Sequence, residues 1–94
     1  MRNFAIAKVY ASALLDLARE NGQLDEVAAS LRGFGSLLEE RADLRQLFLS
    51  PEWSFSEKRA VLVRVLEGEV ALFRNFLLVL VRKHREAAFG DIAV

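Results

Sequence analysis

Few side chains in this 94-residue sequence are of the types that do chemistry. His84 is the only histidine and cysteine is absent, which excludes a metal site built from several histidines or from thiolates. His84 lies within the basic run Arg82-Lys83-His84-Arg85, which is typical of a helix C-terminus, where cations face the negative end of the helix dipole. No nucleophile accompanies it in a recognisable motif, so the sequence predicts no catalytic residue, no cofactor and no metal.

The other candidates for chemistry are carboxylate pairs and a short glycine motif. Glu39-Glu40 and the pair Asp16 and Glu20 lie beside basic residues on polar helix faces, which is typical of solvated charge rather than acid–base catalysis. Gly33-Phe34-Gly35 follows no predicted strand and lacks the third glycine of a phosphate-binding fingerprint. We interpret these glycines as positions that let a neighbouring helix approach closely.

Charge and composition restrict the class of protein further. Lysine plus arginine and aspartate plus glutamate each number 13, so the formal net charge is zero, which argues against a nucleic-acid-binding face. Apolar residues make up 53% of the chain, enough for a hydrophobic core. The longest apolar run, Phe76–Val81, is far shorter than the roughly 20 residues that cross a bilayer, and Lys8 and Asp16 interrupt the first apolar stretch. We therefore expect one soluble domain with no signal peptide and no membrane insertion.

The elements that would position these side chains are helices. Leucine and alanine dominate, threonine is absent, and no segment alternates strictly between apolar and polar residues. Asn21-Gly22, Pro51 and Gly68 predict helix ends, and the spacing of Ser54 and Glu57 predicts a capping box. The sequence thus predicts an all-α six-helix bundle, with helices at about 3–20, 24–40, 42–49, 54–68, 69–83 and 86–94.

Helices one and five carry more apolar surface than a single core contact requires. At about 100° per residue, the predicted core-facing residues of helix one are Ala7, Ala11, Leu14, Leu15 and Ala18, and its apolar flank holds Ile6, Tyr10, Ala13 and Leu17. The predicted core stripe of helix five is Val70, Phe73, Phe76, Leu77 and Leu80, and that of helix four is Val61, Leu62, Val65 and Leu66. A second stripe of helix five holds Leu72, Asn75, Val79 and Arg82, bordered by Lys83.

The flank of helix one and the second stripe of helix five predict a groove for an amphipathic partner helix. Its candidate residues are Ile6, Tyr10, Ala13, Leu72, Asn75, Val79 and Arg82. Apolar residues are also common on protein surfaces, so the alternative is that these side chains cover neighbouring helices or are merely exposed. Two helices with the same excess favour the groove.

Three motifs in order give the sequence a resemblance to a known family. Ile6–Ala18, with the core Tyr-Ala-x-Ala-Leu, resembles the opening of the delta subunit of F-type ATP synthases, whose mitochondrial counterpart is the oligomycin-sensitivity-conferring protein. Leu47–Pro51 and Ser56–Arg59 are similar to the family's proline-ended and Glu-Lys-Lys segments. Asn75–Val81, with Arg85 after it, is similar to the family's Phe-Leu-x-x-Leu-x-x-x-x-Arg signature.

The resemblance implies the six-helix N-terminal domain of a non-catalytic peripheral-stalk subunit. In the family, helices one and five bind the N-terminal helix of an alpha subunit at the crown of the catalytic head, which links the head to the stator for proton-driven ATP synthesis. Carried over by position, Tyr10, Ala13 and Val79 would lie in that groove. The capped apolar helices and their short connections predict a monomeric domain that folds alone. The resemblance also implies a location peripheral to the coupling membrane, on the cytoplasmic side in a bacterium or at an organellar membrane otherwise.

Two departures from the family pattern set further expectations. The family's second domain, which contacts the b-type stalk subunits, is expected to be absent from residues 1–94. His84 stands where the family usually has a glycine, so the turn between helices five and six is expected to be shaped differently. The alternative functions are a helical adaptor that binds another amphipathic helix or a regulatory RNA, and, third, an enzyme.

Overall fold

The computed structural model describes residues 4–89, which form five α-helices and one short 3-10 helix. The elements are α1 (Phe4–Glu20), α2 (Leu24–Glu40), α3 (Ala42–Leu49), α4 (Phe55–Val65), α5 (Ala71–Arg82) and the 3-10 helix η1 (Glu86–Ala88). No strand occurs within residues 4–89, so the predicted all-α class is confirmed. The sixth predicted helix begins as η1. Because residues 90–94 lie outside the described residues, the count of six helices stays a prediction.

The helix ends follow local signals in the sequence. The Ser54 hydroxyl oxygen accepts a hydrogen bond from the Glu57 backbone N–H at 3.2 Å, and Glu57 Oε1 accepts one from the Ser54 N–H at 2.9 Å. This is the predicted capping box at the start of α4. At the end of α1, Gly22 has a φ of 65° and its turn closes with two backbone hydrogen bonds onto the last turn of the helix, as the Asn21-Gly22 pair predicts.

Two hydrophobic clusters hold the helices together. The larger is organised around aromatic rings that meet edge to face, with ring centroids 5.4 Å apart for Phe34 and Phe48 and 5.2 Å apart for Phe34 and Phe89. Phe73, Leu77, Leu80 and Val81 of α5 belong to the same cluster. The smaller cluster joins α1 to α2 through Leu14, Ala18 and Val27. α5 therefore packs in the centre of the domain, where it contacts both the first element, α1, and the last, η1.

Two residues predicted to face the core are exposed instead. Leu15 of α1 is 37% exposed, because the side chains that α1 buries form a narrow row (Ala7, Leu14 and Ala18) and Leu15 lies beyond its edge. Val65 of α4 is also 37% exposed. It lies two turns after Lys58, on the same side of α4. α3 and η1 contact that side at Lys58, in the first turns of the helix, and Val65 lies at the uncovered end.

One buried position of α4 is occupied by a charged residue, Lys58, which forms an ion pair, and not by an apolar residue. Lys58 is 3% exposed, and its Nζ donates hydrogen bonds to Glu86 Oε2 at 2.5 Å and to the Phe48 backbone oxygen at 2.9 Å. Glu86, the first residue of η1, is 8% exposed. One lysine thus joins the start of α4, the end of α3 and the segment that follows α5.

Candidate partner-helix surface

α1 and α5 are antiparallel neighbours, and their contacts define the candidate site. The rings of Tyr10 and Phe76 meet edge to face, with centroids 6.5 Å apart and planes at 67°. Closer to the start of α5, Leu72 packs on the cluster that contains Leu14 and Ala18, which lie later in α1. Val70, just before α5, and Phe76 pack on the same cluster, and Phe76 alone of these residues also meets the Tyr10 ring, nearer the start of α1. The end of α1 and the start of α5 are therefore at the same end of the domain.

The outer side of this pair of helices is apolar and accessible. Leu17 is 46% exposed and Val79 is 41% exposed, and Ala13 is also exposed. Ile6, Tyr10, Leu72 and Phe76 are half-buried. We call the set Ile6, Tyr10, Ala13, Leu17, Leu72, Phe76 and Val79 the α1–α5 surface. Its half-buried members form a base between the helices, and its exposed members flank that base on both sides.

Two predicted groove residues lie on another side of α5. Asn75 is exposed and lines a small depression between α4 and α5, beside Leu62 and Leu66. The Arg82 guanidinium lies over the ring of Phe55, the first residue of α4, with Cζ 4.9 Å from the ring centroid. Both therefore border the α1–α5 surface from its α4 side. The structure brings the other five predicted residues, Ile6, Tyr10, Ala13, Leu72 and Val79, together along α1 and α5.

Phe76 belongs to the predicted core stripe of helix five and not to the predicted groove. It is only half-buried, and its ring contacts Tyr10 at the base of the α1–α5 surface. Its position one turn after Leu72 was the signal that pointed to this role. Val9, which is 67% exposed on α1, also received no role, although it continues the exposed row that contains Ala13 and Leu17.

The remaining chemical candidates stay on solvated faces or in helices. Asp16 and Arg19 form an exposed ion pair at 3.3 Å. His84 is exposed, and no group of three or more acidic, histidine or cysteine residues within residues 4–89 is placed to hold a metal ion. Gly35 lies inside α2, where Cε1 of Phe89 is 4.0 Å from the position that a Cβ would occupy. The predicted close approach of a neighbouring helix is therefore wrong, since nothing lies within 4 Å of the Cβ position at Gly33 and the Phe89 contact at Gly35 is an ordinary van der Waals distance.

In the part of the chain that the structure describes, none of the helices combines the length and the apolar character needed to cross a bilayer.

Comparison with known proteins agrees with the motifs. The family profile of the ATP synthase delta (OSCP) subunit matches residues 6–94. The chain is 43% identical to the ATP synthase subunit delta of Symbiobacterium thermophilum, in an alignment that covers 99% of this chain and 54% of the relative. It is 40% identical to that of Rhodospirillum rubrum, over 88% of this chain and 46% of the relative. The ATP synthase subunit delta of Methylobacterium radiotolerans is 43% identical, in an alignment that covers 93% of this chain and 47% of the relative.

Fold and surface together define a small helical domain with an apolar face across two antiparallel helices. The chain belongs to the ATP synthase delta (OSCP) subunit family, whose members are structural subunits of the synthase and not catalytic ones. It spans about half the length of the curated relatives it matches.

Proposed function

We propose that this domain binds the N-terminal helix of an ATP synthase alpha subunit on the α1–α5 surface. The observation that carries the proposal is the set of exposed and half-buried apolar residues on two antiparallel helices, with the Tyr10–Phe76 ring pair between them. The partner's apolar side chains would pack on Ile6, Leu72 and Phe76, between Ala13 and Val79. Asn75 and Arg82 would form a polar rim on the α4 side, as interfaces commonly have.

The mechanical role that we propose is to hold the catalytic head still. Rotation of the central shaft exerts torque on the head, so the contact that joins head and stalk must dissociate slowly. Slow dissociation comes mainly from buried apolar and aromatic anchors, whereas charges act more on the rate of association. An apolar surface on a chain of zero formal net charge has the properties that such a contact requires.

The proposal also includes the contacts and the location of the full-length subunit. We propose that the other half of the full-length subunit contacts the b-type stalk subunits, and that the isolated 94-residue chain is a monomer. The assembled subunit would lie peripheral to the coupling membrane, on the cytoplasmic side in a bacterium or at an organellar membrane otherwise.

The test is to map where an alpha-subunit peptide binds. A synthetic peptide with the sequence of the alpha-subunit N-terminal helix from the same organism would be titrated into the ¹⁵N-labelled chain. We expect amide shifts to change along α1 and α5 and to stay fixed in α3. The chain offers an internal comparison, because Leu31, Gly35, Phe48 and Phe89 line a separate depression between α2, α3 and η1. Shift changes centred on that depression, or no binding at all, would contradict the proposal.

A further inference from the structure

The two ends of the α1–α5 surface carry opposite charge. The last turn of α1, the first turn of α2 and the loop before α5 meet at one end, and their acidic residues are Glu20, Asp25, Glu26, Glu67 and Glu69. Arg64, in the last turn of α4, and Arg74, three residues after the start of α5, are exposed cations near this end, and the Arg19 guanidinium is bound to Asp16. At the other end, where α5 stops, Arg82, Lys83 and Arg85 are all exposed.

One charge at each end lies in line with the apolar surface itself. Glu20 follows Ala13 by two helical turns, and Lys83 follows Phe76 by two turns, so each continues a row of the α1–α5 surface. Both side chains are exposed, and neither forms an ion pair with another residue of the range 4–89. A helix that fills the surface would therefore end beside a free carboxylate at one end and a free ammonium at the other.

The backbone dipoles of the two supporting helices do not favour either direction. α1 and α5 are antiparallel, so a partner helix is parallel to one and antiparallel to the other, and the two dipole contributions oppose each other. The charges at the two ends of the α1–α5 surface therefore determine which direction of the partner helix is favoured. The N-terminus of a helix carries a partial positive charge and its C-terminus a partial negative charge.

We infer that the partner helix lies parallel to α5 and antiparallel to α1. Its N-terminal turn lies beside Glu20, and its C-terminal turn lies beside Lys83. This inference rests on the proposed function and adds the direction of the bound helix to it. It also places the chain that follows the bound helix near the end of α5, on the side of Lys83.

The direction is measured with a nitroxide spin label on the alpha-subunit peptide. The same synthetic peptide is prepared twice, with the label on its first residue or on its last, and each form is added to the ¹⁵N-labelled chain. With the N-terminal label, we expect the amide signals of Leu17 and Glu20 to broaden. With the C-terminal label, those of Val79 and Lys83 should broaden. The reverse pattern with intact binding overturns the direction alone, and absence of binding overturns the proposed function together with it.

Charge reversal gives a second readout of the same inference. Glu20→Lys and Lys83→Glu should each weaken peptide binding by roughly three- to tenfold at low salt, and by less at high salt. Glu52→Lys makes the same charge change as Glu20→Lys in the connection between α3 and α4, and should leave the affinity within about twofold. Unchanged or tighter binding by Glu20→Lys would overturn the inferred direction.

Discussion

At the scale of single residues, His84 is in the conformation that glycine favours. Its φ of 58° is the only positive value at a non-glycine residue within residues 4–89. The Arg85 N–H donates to the Leu80 oxygen at 2.8 Å and the His84 N–H donates to the Val81 oxygen at 3.1 Å. These bonds form the same Schellman turn that ends α1 at Gly22. The turn thus forms with histidine in a conformation that favours glycine, at the cost of backbone strain.

We predict that His84→Gly stabilises the domain. Relief of the left-handed strain should exceed the greater flexibility of glycine in the unfolded chain, giving a gain of about 0.5–1 kcal/mol in the free energy of unfolding. Urea denaturation followed by circular dichroism measures it. Gly22→Ala is the matched control at the other Schellman turn, and it should lose about 1 kcal/mol. A loss of stability in His84→Gly would show that the His84 side chain makes a contribution that outweighs the strain.

Lys58 is the residue whose environment differs most from what its type predicts, because its ammonium group is buried. Because Glu86 and the Phe48 oxygen together satisfy it, removal of one partner leaves the other buried without compensation. We predict that Lys58→Met lowers the free energy of unfolding by about 3–5 kcal/mol. The double variant Lys58→Met, Glu86→Leu should recover much of that loss, since the unpaired carboxylate is gone. Strictly additive effects in this double-mutant cycle would contradict a coupled pair.

At the scale of helices, the start of α4 links stability to pH. The Ser54 backbone N–H, which donates to the Glu57 carboxylate, holds the pKa of Glu57 below its usual range. The hydrogen bonds from Arg41 and from the Leu44 N–H lower the pKa of Asp43 at the start of α3 in the same way. A carboxyl whose pKa is lower in the folded state stabilises the fold above its unfolded pKa, and this contribution is lost as the pH falls through the folded pKa.

We therefore predict that Glu57→Gln is less stable than the parent chain at pH 7 and that the difference disappears in acid. The decline should begin below about pH 5, where carboxyl groups of ordinary pKa become protonated. Thermal unfolding at a series of pH values measures the difference. Glu52→Gln is the comparison, because the Glu52 carboxylate caps no helix. A pH-independent difference between Glu57→Gln and the parent would rule out the carboxylate as the cause.

The sequence predicts the helices well because their boundaries depend on local signals. Pro51, the Ser54 cap and the Asn21-Gly22 pair act within one turn of the chain, and the bounds of α2 and α3 agree with the predicted ranges. The side of a helix that becomes buried depends on its neighbours, which a single helical wheel does not contain. Asn75 lies toward α4 for that reason, and Val65 is exposed. The Lys58–Glu86 pair joins residues 28 apart in sequence, and no local pattern indicates it.

At the scale of the whole molecule, the sole tryptophan lies outside the α1–α5 surface. Trp53 lies in the connection between α3 and α4, as its position between Pro51 and Ser54 predicts, and it is 45% exposed. We predict that binding of the alpha-subunit peptide changes its fluorescence little. The peptide itself must lack tryptophan for this measurement. A large blue shift on binding would show that the partner covers the α3–α4 connection and not the α1–α5 surface.

The central claim, that a partner helix packs on the α1–α5 surface, is tested most directly by placing a charge there. Val79→Asp puts an unpaired carboxylate into the contact, where even partial desolvation costs on the order of several kcal/mol. At about 1.4 kcal/mol per tenfold, affinity for the alpha-subunit peptide should fall by at least roughly a hundredfold, measured by isothermal titration calorimetry. The fold should survive, since Val79 is 41% exposed.

Two control variants make that result specific. Val65→Asp introduces the same change at a valine of similar exposure, 37%, on the side of α4 that contains Lys58, and it should bind the peptide normally. Leu80→Asp changes a fully buried residue of α5 and should unfold the domain. The account predicts a folded Val79→Asp that has lost binding beside a folded Val65→Asp that retains it. A folded Val79→Asp that binds the peptide as tightly as the parent chain would contradict it.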